Sequence, residues 1–247
     1  MAGDSAKLLR SISKLFKMKK SIVLIGGTRG IGRAIAEQLH EQHSLYLLSR
    51  SGETIQNLQV KHLPFDVHND SLDRSALPAK IDGLVYCPGS LNLKPFKLMD
   101  LATFKDDMDC NFFGLVKVVF ALQDRLTNGA NLIFFSTVAV QTGMPYHSSI
   151  ASAKGAIEGF TRAMAAEYAP RVRVNAIAPS LVDTPLASRL LNSESKRAKM
   201  AERHPLKRVG NPKDIADLAV YLLTAENHWI TGQVLRVDGG ISTLHIN

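Results

Sequence analysis

Four glycines, Gly26, Gly27, Gly30 and Gly32, fall within seven residues. They stand between the apolar run Ile22-Val23-Leu24-Ile25 and the helix-favouring Ala34-Ile35-Ala36-Glu37. That order predicts a buried strand, a tight turn and a helix N-terminus. Glycine lets the backbone turn sharply and approach a ligand closely. The first amides of a helix lack intrahelical acceptors and the dipole makes that end positive, so the turn suits a phosphate. A glycine cluster alone is as well an ordinary turn; the strand before it and the helix after it supply the context of a dinucleotide site. Further on, Ser49 and Arg50 close the apolar run Leu45-Tyr46-Leu47-Leu48, and Arg29 lies inside the glycine turn. A ribose with free hydroxyls is usually met at that strand end by a carboxylate. Two guanidinium groups with no carboxylate beside them suit a 2′-phosphate, because their forked donors pair with phosphate oxygens. These residues predict NADP(H) over NAD(H).

Positioning such a site takes a sheet. After the first strand, short apolar runs recur at Leu45–Leu48, Val60–Phe65, Ile81–Tyr86, Ala130–Phe135, Val172–Ile177 and Gln233–Val237. Helical patterns separate most of them: a polar helix around Ser71 to Ala76, helical chain over Asp100 to Thr127, a small-residue helix over Ser149 to Tyr168, and a helix over Asp214 to Leu223. Strands alternating with helices predict a doubly wound parallel seven-stranded α/β sheet, a Rossmann fold, covered on both faces. No repeat or linker divides it, so residues 18–247 read as one domain. In such a sheet ligands sit beyond the carboxyl ends of the strands. The glycine turn, Arg50, Asp66-Val67, Cys87-Pro88-Gly89, Ser136-Thr137 and Pro179 all fall there. The charged segment Leu186 to Arg203 reads as a mobile flap that closes over substrate.

The chain of 247 residues carries a net charge of +8, but the excess is uneven. Residues 1–20 hold six basic side chains against Asp4, which leaves 24 basic and 21 acidic for the rest. The basic N-terminal extension, residues 1–17, places Leu8, Ile12, Leu15 and Phe16 at helical spacing. It reads as a frayed extension outside the fold, with an anionic-membrane helix or transit peptide as alternatives. Nucleic acid is not the expected partner. No apolar run approaches the length of a membrane span. Cys87 and Cys110 give no metal-ligand spacing and no disulfide framework, which points to a reducing, cytoplasmic setting.

From Lys20 to Thr243 the chain resembles the short-chain dehydrogenase/reductase family, in its 3-oxoacyl-carrier-protein-reductase-like branch. Gly26-Gly27-Thr28-Arg29-Gly30-Ile31-Gly32 resembles the family's glycine motif and Asp66-Val67 its adenine-binding pair. Tyr86-Cys87-Pro88-Gly89 stands where the family has Asn-Asn-Ala-Gly. Pro179 and Thr184 match its Pro-Gly…Thr loop over the nicotinamide, with Ser180 in place of glycine. Ile230-Thr231-Gly232-Gln233 and Val237-Asp238-Gly239-Gly240 match its C-terminal signature. The resemblance implies a cofactor site formed by Gly26, Thr28, Arg29, Gly30, Ile31, Gly32, Arg50, Asp66, Val67, Cys87, Gly89, Lys154, Pro179 and Thr184. It also implies a homodimer or homotetramer packed through the helices that hold Asn111 and Lys154.

The family's chemistry uses a serine, a tyrosine and a lysine, the tyrosine one helical turn before the lysine. The ammonium lowers the phenol's pKa, so that it can exchange a proton with the substrate oxygen during hydride transfer. Lys154 matches the lysine, Thr137 takes the serine position, and Asn111 matches the catalytic-helix asparagine. The residue four before Lys154 is Ile150, which has no proton to give. Three explanations follow. Another group donates, with Tyr146 the first choice and His147, Ser148 or Ser149 behind it. Or the reaction needs less proton donation, as in reduction of a conjugated double bond. Or turnover is lost, leaving an NADP-binding partner or regulatory subunit. The first two make the protein an NADP(H)-dependent oxidoreductase acting on a small carbonyl or activated double bond, with Asn111, Thr137, Tyr146 and Lys154 as catalytic residues and no metal.

Overall fold

The apolar run at the start of the sheet forms strand β1 (Ser21–Ile25), whose alternate side chains serve two cores. Ile22 and Leu24 point to one face, Val23 and Ile25 to the other, and all four are buried. In this computed structural model residues 19–225 and 229–245 are described; the N-terminal extension and its expected helix lie outside them. The chain continues through α1 (Gly30–Leu39), β2 (Ser44–Ser49), β3 (Val60–Pro64) and β4 (Ile81–Tyr86). It then runs through α2 (Leu101–Met108), a π turn (Asp109–Phe113), α3 (Gly114–Leu122), β5 (Leu126–Phe135), α4 (Ala139–Thr142) and α5 (Ser148–Tyr168). The last elements are β6 (Val172–Pro179), a 3₁₀ turn (Pro185–Leu190), α6 (Glu194–Glu202), α7 (Pro212–Thr224) and β7 (Val234–Val237).

The seven strands pair in the order β3-β2-β1-β4-β5-β6-β7, and every pairing is parallel. Order reverses between β1 and β4, where Ile25 lies opposite Tyr86. That reversal opens a crevice at the strands' carboxyl ends. One face is closed by α1 and α7, which bring Ile35, Ala36, Leu39, Ile215 and Leu222 against Leu24 and Leu47. The other is closed by α3 and α5, through Leu115, Val118, Leu122, Ile157 and Met164. Burial on both faces explains why the strands are continuous apolar runs rather than alternating ones.

Two expectations need correction. Residues 71–76 form no helix. Asp73 there accepts the Ser75 amide at 2.8 Å, a side-chain bond that competes with a helical turn, and Pro78 follows closely. The helical chain begun at Asp100 stops before Thr127, which already belongs to β5, and it is broken by the π turn. There Asn111 Nδ2 donates to the Asp107 carbonyl at 2.8 Å, occupying the oxygen that an ordinary turn would use. Within residues 186–203 the 3₁₀ turn leads into α6, which Ser193 caps by accepting from Lys196 N.

Candidate active site

At the carboxyl ends of the strands lies a cavity of about 1110 Å³. Its floor is the turn between β1 and α1. Gly26 adopts φ +78°, in the left-handed region, and its amide donates to Leu48 O at 2.8 Å, extending the ladder into the turn. A Cβ on Gly32 would stand 2.5 Å from Gly26 O, so α1 can approach the strand only without one. Gly30 combines φ +52° with Thr184 at 3.2 Å from its would-be Cβ, which brings the loop after β6 over the turn. The cap residue Arg29 makes no side-chain cap bond, and the first turn of α1 contains no acidic residue. Nothing in the helix start itself therefore competes with an anion for the front amides.

Arg29 and Arg50 are exposed at the cavity mouth and form no ion pair with the described residues. Asp66 follows β3 and lies on the same wall. The His68 amide bonded to its carboxylate holds its pKa below the usual range, with Asn69, His68 and Arg50 acting in the same direction. Beside β4, Cys87 lines the wall as a neutral thiol, because burial pushes its pKa up against the pull of Lys154.

The deep end is built by α5 and the π turn. Lys154 is 9% exposed, and burial draws its pKa from 10.5 down to about 8, with Cys110, Cys87 and Asp107 acting the other way. A Cβ on Gly89 would come 3.2 Å from Asn111 Oδ1 and 3.6 Å from Lys154 Nζ, so only glycine leaves this corner open. Asn111 Oδ1 is buried with no hydrogen-bond partner among the described residues, while Nδ2 donates to Ser90 Oγ as well as to Asp107 O. Asp107, fully buried, is satisfied by Ser90 Oγ, Asn92 Nδ2 (2.9 Å) and Ser149 Oγ (2.6 Å). At the end of β5, Ser136 spends its hydroxyl proton on Glu158 Oε1 at 2.7 Å. Thr137 Oγ1 accepts only a long bond from Ala139 N, 3.3 Å, which leaves its proton available to the cavity.

The residues expected at the site line this one cavity, except Asn111, which stands behind Gly89, and the alternative donors Ser148 and Ser149, the latter of which spends its hydroxyl on Asp107. Ile150 does so from one turn ahead of Lys154, 3% exposed and aliphatic. Tyr146 lies on the rim with φ +69° and is 58% exposed. A positive φ at a bulky residue is a strained geometry often met at functional loops. Beside it His147 Nδ1 bonds the Pro145 carbonyl at 2.7 Å. One pair carried no signal in the sequence. Ser180 Oγ lies 2.9 Å from His204 Nε2, and His204 Nδ1 lies 2.8 Å from Met200 O; both side chains line the cavity. Leu91, Met144, Leu186, Leu190, Met200 and Ile241 give the wall an apolar stretch. The floor fits a pyrophosphate, the mouth a further phosphate, and the deep corner a ribose and a flat ring. The residues thus suit a nicotinamide nucleotide.

Comparison with known proteins agrees. A family model described as enoyl-(acyl carrier protein) reductase matches residues 26–242. Carbonyl reductase family member 4 of Danio rerio is 31% identical over 244 residues, covering 92% of this chain and all of that protein. A 3-oxoacyl-[acyl-carrier-protein] reductase of Aquifex aeolicus is 29% identical over 252 residues, covering 91% and 98%. Among solved structures, a short-chain dehydrogenase/reductase (glucose/ribitol dehydrogenase) from Brucella melitensis superposes with a TM-score of 0.83 at 28% identity, over 92% of this chain and 98% of that one.

Proposed function

The chain belongs to the short-chain dehydrogenase/reductase family, and from that premise we propose that it is an NADP(H)-dependent reductase of a carbonyl or activated double bond with an apolar flank. The observation that carries this reading is that an anion-ready helix start and a buried lysine, with no ion pair among the described residues, face one cavity. When bound, the nucleotide supplies hydride. Lys154 would orient its ribose and add positive charge, Asn111 Oδ1 would accept from a ribose hydroxyl, and Thr137 would donate to the substrate oxygen. Charge stabilisation of that kind at the reacting oxygen is commonly the largest catalytic term. The proton comes from a group other than Ile150; Tyr146, His147 and the Ser180–His204 pair are the groups at hand in the cavity wall. We expect a dimer or tetramer in the cytoplasm. The helical run that carries Asn111 leaves Phe113 and Phe120 53% and 70% exposed, which suits burial against a second copy.

Calorimetry with NADPH and NADH tests the reading. NADPH is expected to bind at least tenfold more tightly, since a charge-assisted hydrogen bond is worth about 1.5–3 kcal/mol. Arg50→Glu should erase that preference. Heat from neither nucleotide, or an undiminished preference in the variant, overturns it.

A further inference from the structure

The Ser180–His204 pair has the geometry of a proton relay. A carbonyl oxygen only accepts, so the contact to Met200 O puts a hydrogen on His204 Nδ1. In the neutral ring Nε2 is then the bare nitrogen that receives the Ser180 hydroxyl at 2.9 Å. When the ring is charged the same contact reverses: Nε2–H donates to Ser180 Oγ, whose own hydrogen is released to point elsewhere. Ser180 directly follows Pro179, whose carbonyl accepts from Val138 N at 3.2 Å. The hydroxyls of Ser180 and Thr137 therefore stand on adjoining strand ends, and both line the cavity with Lys154.

The other groups are placed less well. Tyr146 is mostly in solvent, and His147 sits on an exposed turn held by its own Pro145 carbonyl. His204 is 4% exposed, fixed at both nitrogens, and packed on the turn at Gly239, where a Cβ would come 3.6 Å from its ring. The charged residues on the segments around it are Arg203, Lys207, paired with Glu202, and Asp238, bound to Gly240 N and Ser242. None of these bonds the imidazole.

We propose that Ser180 is the catalytic proton donor to the substrate oxygen and that His204 is the positioning residue that resupplies it. The proposal rests on the reductase reading above. As the carbonyl carbon takes up hydride from the reduced nucleotide, the C=O π pair moves onto oxygen. Ser180 Oγ–H gives its proton to that oxygen, forming the alcohol O–H. The Nε2–H of the imidazolium passes to Ser180 Oγ, and the neutral ring regains a proton from water. Oxidation of the alcohol runs the same path backwards.

The test measures single-turnover NADPH oxidation with a panel of apolar ketones, aldehydes, 3-oxoacyl thioesters and enones. Wild type is compared with S180A, S180T, H204Q and Y146F, and NADPH affinity is measured for each. Loss of a positioned acid typically costs 10²–10⁴-fold. S180A and H204Q should therefore lose at least about 100-fold in rate with NADPH affinity held within threefold. S180T should restore most of the rate. Independently of any variant's folding, ¹⁵N spectra of the wild type should show His204 as the Nδ1–H tautomer at high pH. S180A keeping more than a third of the rate, an Nε2–H tautomer, or a 100-fold loss in Y146F instead, overturns the relay. So does a wild type that binds NADPH yet reduces nothing in the panel, which leaves the nucleotide site standing. Failure to bind NADPH sinks the reductase reading itself and the relay with it.

Discussion

Lys154→Met should make the protein more stable at neutral pH. Lys154 is 9% exposed, forms no hydrogen bond or ion pair among the described residues, and is held near a pKa of about 8 rather than 10.5 mainly by burial. A base whose folded pKa is depressed carries its full penalty below that pKa, where both folded and unfolded chains are charged. The penalty fades as pH rises toward the unfolded value. At about 1.4 kcal/mol for each tenfold, the fall from 10.5 to about 8 corresponds to roughly 3 kcal/mol at pH 7 and about half of that at pH 9.5. Methionine fills a similar volume without charge, so the variant escapes this cost. For a domain of this size about 3 kcal/mol raises the melting temperature by roughly 6–12 °C. Urea unfolding followed by circular dichroism, on both proteins at pH 7 and 9.5, reads the difference directly. Other titrating groups act on both chains alike and cancel. The variant should gain at pH 7, lose about half of that gain at pH 9.5, and bind NADPH far more weakly. A variant less stable than wild type at pH 7, or a difference that does not change with pH, would refute the claim that the lysine is kept at a cost to the fold.

Two more substitutions probe the floor and the missing phenol. Gly32→Ala forces a Cβ to within 2.5 Å of Gly26 O, a backbone atom that cannot swing aside. It should cost about 1–3 kcal/mol in unfolding free energy and weaken NADPH more than tenfold by calorimetry, and unchanged values in both would remove the close-approach argument. Ile150→Tyr sets a phenol one helical turn before Lys154, on a side chain that already lines the cavity. Ketone reduction by NADPH should appear or rise at least tenfold, and no rise with the nucleotide still bound would mean that residue 150 does not limit turnover.

Legibility followed the range of the interactions. The glycine turn, the strands and the Lys154 helix were readable because each is a local pattern, apolar run then turn then helix, and the sheet order follows from chaining them. Most residues expected at the candidate site share one cavity because a parallel sheet delivers strand ends to one rim. What could not be read needs partners distant in the chain. Asp107 looks like one more surface charge in Lys105-Asp106-Asp107, yet it is fully buried under hydroxyls and an amide from residues 90, 92 and 149. Ser180 and His204 are 24 residues apart, and α6 with the turn after it brings them together. The stretch 71–76 departs from its helical pattern because a polar run with one Leu has no face to bury, and its Asp73–Ser75 bond takes the local alternative to a helix. The π turn depends on a single side chain, Asn111, bonding its own helix.

Buried polar groups in this wall divide into two kinds, and the division separates support from function. Ser136 is matched to Glu158, and Asp107 takes three donors, so each is satisfied within the protein and holds α5, the π turn and the strand ends in place. Asp107 is thereby occupied and does not pair with Lys154, although its charge still acts on it. Asn111 Oδ1, by contrast, is buried with no hydrogen-bond partner among the described residues, and Lys154, 9% exposed, forms no hydrogen bond or ion pair among them, the two standing on either side of the space that Gly89 keeps empty. Burying a polar group without a partner costs about 1–3 kcal/mol, and folding alone would not retain a donor and an acceptor in that state so close together. A ribose hydroxyl, which can accept from one and donate to the other, would satisfy both at once. On that account the cost in stability and the capacity to bind share one origin: the scaffold groups are paired so that these two need not be. A nucleotide lacking that hydroxyl should then stabilise wild type less than the full nucleotide does, and the gap should close in Lys154→Met.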